Sequence, residues 1–238
     1  MIPYIGDKSV LSNFISPYIP ESSSIYVEPF SGMFGLFLSL DMSDYKFTDF
    51  IYNDINYLNY NLFDKLKNSN FIESINNLNV SLNDFQNSHD YIKVGKDDLG
   101  LAKSWLIILT CSYPSNIKKW KSNIGYDIFK SKYSYYEEKI SSITNIHNKD
   151  YKEVIKEYDS SQTFFYIDPP YKDKESYYIN HKFDTNSHKE LSEELNKIKG
   201  KFMISYYYFD GIKELYPNCE FVSKKVKNGA TEYLIMNY

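Results

Sequence analysis

Continuous or alternating apolar runs of β character take turns along the chain with stretches whose apolar residues recur at helical spacing. That alternation predicts an α/β domain built on a largely parallel sheet. Residues 25–27 read as a short strand, 46–52 as a second, 140–146 as a third and 163–167 as a fourth that is apolar throughout. Leu11, Phe14 and Ile15, then Leu36, Phe37, Leu38 and Leu40, then residues 57–66 and 71–78, fall at helical spacing. Asn, Ser and Asp dilute the pattern through residue 90, residues 97–112 read as a buried helix, and an amphipathic helix follows Asp150 through Tyr158. Residues 184–199 read as a capped helix with Leu191, Leu195 and Ile198 inward, leading through Gly200 to a strand at 201–205. Residues 221–226 and 232–236 read as two strands around the turn dipeptide Asn228-Gly229, an antiparallel hairpin closing the sheet. Residues 171–183 are polar and aromatic without a core pattern, and read as a mobile loop over a substrate.

The fourth strand stops abruptly at Asp168, Pro169, Pro170 and Tyr171. The two prolines remove successive N–H groups and end the ladder, leaving carbonyls and a carboxylate at the strand's C-terminal edge, where open α/β sheets bind ligands. An acceptor carboxylate, outward carbonyls and an aromatic face match the exocyclic amino group of a planar base; a plain strand end with a surface Asp would give the same letters. The first strand runs into Glu28-Pro29-Phe30-Ser31-Gly32-Met33-Phe34-Gly35, a glycine-containing turn before a helix, which lets backbone approach a ligand closely or serves as an ordinary connection. Asp54 ends the second strand, where an acid either binds ribose hydroxyls or caps the following helix. Lys8, in the first turn of the first helix, can hold a carboxylate or stand in solvent, and Asp150 can act as a helix cap.

On these segments the sequence resembles the amino-methyltransferases, whose motif is D/N/S-P-P-Y/F/W; its Asp-Pro-Pro-Tyr form is similar to that of the D12-class (Dam-like) N6-adenine DNA methyltransferases. The resemblance covers almost the whole chain. Tyr4-Ile5-Gly6-Asp7-Lys8 is similar to the family's Trp/Tyr-x-Gly-Gly-Lys, Glu28 to Gly35 to its Glu-Pro-Phe-x-Gly-x-Gly, Asp54-Ile55-Asn56 to Asp-x-Asn, and Asp150-Tyr151 to Asp-Phe/Tyr. Asp7 stands in place of the second glycine of the first motif and Phe34 in place of the second glycine of the next. The resemblance implies a Rossmann-like S-adenosylmethionine-dependent fold, with the cofactor held by Tyr4, Lys8, Glu28, Phe30, Gly32, Asp54, Asp150, Tyr151 and Asp168. It implies catalysis by Asp168, Pro169, Pro170 and Tyr171 on an adenine flipped from DNA; a restriction endonuclease is a candidate partner that the sequence itself does not decide. Residues 1–84 and 136–238 would form the catalytic domain and 85–135 an inserted target-recognition region.

Composition alters this picture in three ways. All 27 basic residues are lysine, and Asn, Ile, Lys, Tyr and Phe abound, so the 18% aromatic content reflects A/T-rich coding as well as chemistry. The net charge of −4 excludes a protein held to nucleic acid by global charge, so DNA contact requires a local patch. Residues 99–136 supply one, with Lys103, Lys118, Lys119, Lys121, Lys130 and Lys132 against Asp127 and with Tyr113, Trp120, Tyr126, Phe129 and Tyr133 interleaved. Lys118, Lys119, Trp120, Lys121, Lys130 and Lys132 are the DNA-binding candidates; a solvated face is the alternative. Two distant cysteines, no Cys/His cluster, no basic-then-apolar leader and no apolar run of membrane length point to a soluble intracellular protein, cytoplasmic or nuclear, without a metal. The amino-group chemistry also fits N4-cytosine or RNA adenine methylation, and a non-catalytic nucleic-acid or partner-binding subunit would keep the same fold. A dinucleotide enzyme would want a full Gly-x-Gly-x-x-Gly after the first strand, which is missing.

Overall fold

The computed structural model describes residues 2–4, 6–113, 116–172, 183–226 and 229–238. Its strands are β1 (Ile25–Glu28), β2 (Asp49–Asn53), β3 (Ser112–Tyr113), β4 (Asn116–Trp120), β5 (Asn145–His147), β6 (Thr163–Ile167), β7 (Lys201–Tyr207), β8 (Glu220–Lys225) and β9 (Thr231–Met236). Seven of them form one sheet in the order β5-β2-β1-β6-β7-β9-β8, and β3 and β4 pair separately. The pairs β1 with β2, β1 with β6 and β6 with β7 are parallel, whereas β9 is antiparallel to both β7 and β8. This is the Rossmann-like methyltransferase arrangement, with the terminal hairpin inserted beside β7. The chain moves outward from β1 through β2 to β5 and then returns to β6 on the other side of β1. The order therefore reverses between β1 and β6, and a ligand crevice opens at such a reversal, outside the carboxyl ends of the strands.

By density of contact the chain divides into two units, Met1–Val10 with Gly32–Ser39 and Tyr57–Ile146, and Leu11–Ser31 with Leu40–Asn56 and His147–Tyr238. The second unit carries the central strands. Every residue of β6 is buried, as the unbroken apolar run of a strand covered on both faces requires. On one face Val27, Phe165, Ile167, Phe202, Ile204 and Ile235 pack against Val154 and Ile155 of the helix Tyr151–Tyr158 and Leu191 and Leu195 of the helix Thr185–Leu195. On the other, Tyr26 meets Phe47 edge-on at 5.3 Å and Phe164 at 5.9 Å.

The first unit is helical, with Tyr57–Leu66, Ser69–Asn76, Leu82–Val94, Asp98–Cys111 and Ile124–Ser142. Its centre is Asp98–Cys111, buried from Ser104 to Cys111 and capped by Asp97, whose carboxylate accepts from the Gly100 N–H at 2.7 Å. One expectation fails here, and one stretch without a reading gains an element. Residues 140–146 are not one strand, because Ile140 and Ile143 are buried three residues apart on a helical face, so the helix continues to Ser142 and β5 holds only 145–147. The diluted stretch before residue 90 is helical. Ser81 and Asp84 form a capping box, while only Phe85 and Ser88 are buried, too few to leave a visible apolar period. The β3–β4 hairpin is a further element without a strong signal in the sequence. Residues 173–182, the core of the expected loop, and Asn228 of the expected turn lie outside the described residues; Gly229 takes a left-handed φ of 82°.

One side chain fixes the geometry at the end of β2. The Asn53 Nδ2 donates to the Pro29 carbonyl at 2.9 Å and the Lys149 carbonyl at 3.1 Å, and its Oδ1 accepts from the Lys149 N–H at 2.9 Å. Its backbone carbonyl accepts from the Ser31 N–H at 2.9 Å, and its N–H donates to the Ser31 Oγ at 3.1 Å. Asn53 thus ties the turn after β1 to the segment before the helix Tyr151–Tyr158. Replacing it with Leu strands these buried backbone groups at about 1–3 kcal/mol each. Asn53→Leu is expected to lower stability by at least about 2 kcal/mol in urea unfolding, and an unchanged midpoint would remove Asn53 from this role.

Candidate active site

At the carboxyl edge of the second unit, β6 delivers a half-buried Asp168, two buried prolines and a half-buried Tyr171. The Tyr171 hydroxyl donates a hydrogen bond to the Glu232 carboxylate on β9, and its ring stands edge-on to Tyr207 at 4.7 Å and tilted against Tyr206 at 5.8 Å. Below Asp168, two positions back along β6 and so on the same face, the buried Tyr166 hydroxyl lies 2.6 Å from the Ser205 Oγ on β7. On β1 the Tyr26 hydroxyl donates to the Glu28 Oε1 at 2.5 Å, and both residues are buried. The face thus carries carboxylates near the strand ends with phenols beneath or beside them. Burial, followed by the Asp168 carboxylate, holds the Tyr166 and Tyr171 phenols well above the usual tyrosine range, with Glu232 adding to both; burial, then Glu28, does the same to Tyr26. All three phenols stay protonated; Tyr26 and Tyr171 donate to carboxylates, and between Tyr166 and Ser205 either hydroxyl can be the donor.

Around Glu28 the turn is pinned, since the Ser31 Oγ donates to the Glu28 carbonyl at 2.7 Å. Phe30 stacks on Tyr151 at 5.0 Å and 29°, and Phe183 closes on the Phe30 ring edge-on at 5.7 Å. Asp54 ends β2 in a turn: its Oδ1 accepts from the Asn56 N–H at 2.7 Å and its carbonyl from Asn148 Nδ2 at 2.7 Å, while its N–H donates to the His147 carbonyl at 3.3 Å. Asp150 is exposed and caps the helix Tyr151–Tyr158 through its Oδ1, which accepts from the Lys152 N–H at 2.9 Å. The structure therefore gives Asp150 the cap and brings Phe30 and Tyr151 into one aromatic pair.

In the first unit, Tyr4, Lys8 and Gly32 belong to one neighbourhood. Lys8 is only 7% exposed, and its Nζ donates to the Gly6 carbonyl at 3.2 Å. The Tyr4 hydroxyl accepts from Asn59 Nδ2 at 3.0 Å, and the Asn59 Oδ1 accepts from the Trp105 indole at 2.9 Å. Gly32 has a φ of 52°, where a side chain is strained, and a Cβ there would make a tight contact of 3.2 Å with the Tyr4 ring. Phe34 keeps the left-handed backbone that a glycine would take, at φ 53°, and stacks on Phe37 at 4.4 Å. Asp7 does not need the glycine conformation it replaces. Its carboxylate accepts from the Ser9 N–H at 2.9 Å and the Ser9 Oγ at 2.8 Å, and it fills the space over Gly35, where a Cβ would lie 2.0 Å from Asp7 Oδ1.

The basic stretch separates into two kinds of residue. Lys118, Lys119 and Lys121 are exposed on or beside β4, with the Nζ of Lys119 and of Lys121 over the exposed Tyr113 ring at 5.8 and 5.7 Å. Lys132 is exposed on the helix Ile124–Ser142. Lys130 is engaged internally, donating to the Leu78 carbonyl at 2.9 Å, and Trp120 packs edge-on against Phe85 at 5.4 Å. Tyr126, Phe129 and Tyr133 are core, and the Tyr126 and Tyr133 hydroxyls bond the Ile75 and Leu66 carbonyls. Composition had grouped them with the lysines, but their burial leaves Tyr113 as the exposed ring beside β4. Glu232, Asn53 and Tyr26 escaped the sequence reading; the available signals were an acid opening an apolar strand and polar groups embedded in apolar runs. Among the described residues there is no cluster of His, Cys, Asp and Glu able to hold a metal, and no helix long and apolar enough to cross a membrane.

The chain is similar in sequence to known proteins. A Type II methyltransferase, M.MjaIII from Methanocaldococcus jannaschii, is 28% identical over 100% of this chain and 98% of its own length. The rRNA methyltransferase aviRa from Streptomyces viridochromogenes superposes with a TM-score of 0.43 at 8% identity, over 96% of this chain and 84% of the other. The profile of the D12 class N6 adenine-specific DNA methyltransferases matches residues 4–230, so the chain belongs to that family.

Proposed function

We propose that Asp168, Pro169 and Tyr171 form the clamp with which this DNA methyltransferase holds the adenine amino group, and that S-adenosylmethionine is the methyl donor. The observation that carries the reading is the Asp-Pro-Pro-Tyr segment leaving β6 at the sheet reversal, with the Tyr171 ring held by Glu232 and Tyr207. The donor set suits the cofactor: Glu28 and Asp54 offer carboxylates for hydroxyl and amino groups, the Phe30–Tyr151 pair an apolar wall, and Asp150 lies at its helix start. On the resemblance of the Tyr4 to Lys8 segment and of the turn at Gly32 to the family's motifs, these residues of the first unit are also assigned to cofactor binding, with Lys8 as a cation for a carboxylate. When bound, the cofactor supplies an electrophilic methyl group on a sulfonium.

A base in a duplex is out of reach, so the target is flipped out at a cost of a few kcal/mol. The Asp168 carboxylate and Pro169 carbonyl accept the two amino hydrogens, which turns the nitrogen lone pair toward the methyl group. Tyr171 stacks on the extruded base and Pro170 keeps the backbone stiff, so positioning and electrostatics lower the barrier. Residues 85–135 are proposed as the target-recognition region, with Lys118, Lys119, Lys121 and Lys132 on phosphates. Lys130 and Trp120 support the hairpin and helix that carry them. A restriction endonuclease partner belongs to the same proposal, supported by the Type II name of the relative.

Asp168→Ala is expected to lower methyl transfer to plasmid DNA by at least about 100-fold while calorimetry still detects cofactor binding; retained transfer would reject the clamp. Tyr171→Ala is expected to cost less, about 10- to 100-fold, as loss of one stacking partner does, and the reverse order of the two variants would reject stacking. The triple variant Lys118→Ala, Lys119→Ala, Lys121→Ala is expected to weaken DNA binding at all sequences and to lower the salt slope of log affinity by about one for each phosphate no longer neutralised. An unchanged slope would assign the phosphates to other residues.

A further inference from the structure

Glu232 is a carboxylate 2% exposed in a strand whose later residues, Leu234, Ile235 and Met236, are all core. A buried carboxylate is costly unless it is hydrogen-bonded, and an apolar residue in a strand is usually the cheaper choice. Its carboxylate accepts a hydrogen bond from the Tyr171 hydroxyl, 61 residues away in sequence. Glu232 is also the register partner of Tyr207 across the β7–β9 ladder, and Tyr207 supplies the edge contact to the Tyr171 ring. One rung of a hydrogen-bonded ladder therefore presents both the anchor for the hydroxyl and the wall for the ring.

We infer that Glu232 is a positioning residue for methyl transfer, holding the Tyr171 ring in the attitude in which it receives the flipped base. The inference rests on the reading of Tyr171 as the stacking residue. Pro169 and Pro170 stiffen the backbone ahead of Tyr171, yet its two side-chain torsions would still be soft. A charge-assisted bond at the far end of the ring, with an edge contact along its side, fixes both torsions before substrate arrives. The phenol remains protonated because burial and the Asp168 and Glu232 carboxylates hold its pKa well above the usual value, so the donor persists across the working pH range.

The test uses the full chain with Glu232→Leu, Glu232→Gln, Tyr171→Phe, Tyr171→Ala and the double variant Tyr171→Phe/Glu232→Leu. Transfer of labelled methyl from S-adenosylmethionine to mixed-sequence plasmid DNA gives kcat and KM, with calorimetric cofactor affinity and melting temperature alongside. Glu232→Leu is expected to lower kcat about tenfold with the cofactor affinity unchanged. Glu232→Gln should recover most of the rate, because its amide oxygen still accepts, and the double variant should be no slower than the slower single. Losses that multiply in the double variant, or a folded Glu232→Leu with full kcat, overturn the inference. Should Glu232→Leu fail to fold, Tyr171→Phe decides: a comparable fall in kcat supports the anchor and full kcat overturns it. A fully active Tyr171→Ala would instead reject the stacking reading, whereas a slow Tyr171→Ala beside a fast Tyr171→Phe rejects only the role of Glu232.

Discussion

The side-chain amide of Asn53 completes the hydrogen bonding of backbone from two separate turns, and the shape of the sheet's carboxyl edge depends on that closure. A parallel sheet ends its strands in loops that lack ladder partners, so their buried N–H and C=O groups need acceptors and donors from elsewhere. Asn53 donates twice and accepts once through one side chain, whereas a carboxylate only accepts and a hydroxyl has a single proton to donate. With Pro29 and Lys149 held against the end of β2, Glu28 and Phe30 on one side and Asp150 and Tyr151 on the other keep fixed places relative to Asp54. The Phe30–Tyr151 stack is the packing consequence of this closure.

The central strands then make an unusual use of tyrosine. Tyr26 and Tyr166 are buried completely, and each hydroxyl finds a partner on its own or the adjacent strand, Glu28 and Ser205 respectively. A phenol in that position fills core volume like phenylalanine while its tip bonds groups at the crevice, which joins hydrophobic packing to polar order in a single side chain. The carboxylates Glu28, Asp168 and Glu232 all act on Tyr166, so the acidic edge is one electrostatic neighbourhood.

Much of this was legible in the sequence because the decisive signals are local. The Asp-Pro-Pro-Tyr stop, the turn after β1 and the acid after β2 lie in short segments where strand propensity and chain breakers coincide, and the alternation of strands with helices carries the mostly parallel character of the sheet and its closing hairpin. The failures have a common cause. Helix Leu82–Val94 buries little, and the helix ending at Ser142 exposes most of its length, so neither imposes a clear period on the residues. Tyr126, Phe129 and Tyr133 were grouped with the lysines by composition, whereas burial is a property of the folded chain. Glu232 and Asn53 act across 61 and 96 residues of sequence, and no local pattern carries contacts of that range.

Phe34 gives the turn after β1 a different physical character from a glycine turn. A large side chain in the left-handed region costs of order 1–3 kcal/mol and persists only when the surroundings compel it. Here the compulsion is hydrophobic, since the ring is fully buried, stacked on Phe37 and edge-on to Phe63. Opening the turn would require pulling that ring out of the helical core. The turn is therefore coupled to the cooperative unfolding of its unit instead of fraying alone, and its amides should exchange hydrogen with solvent only as slowly as that core opens.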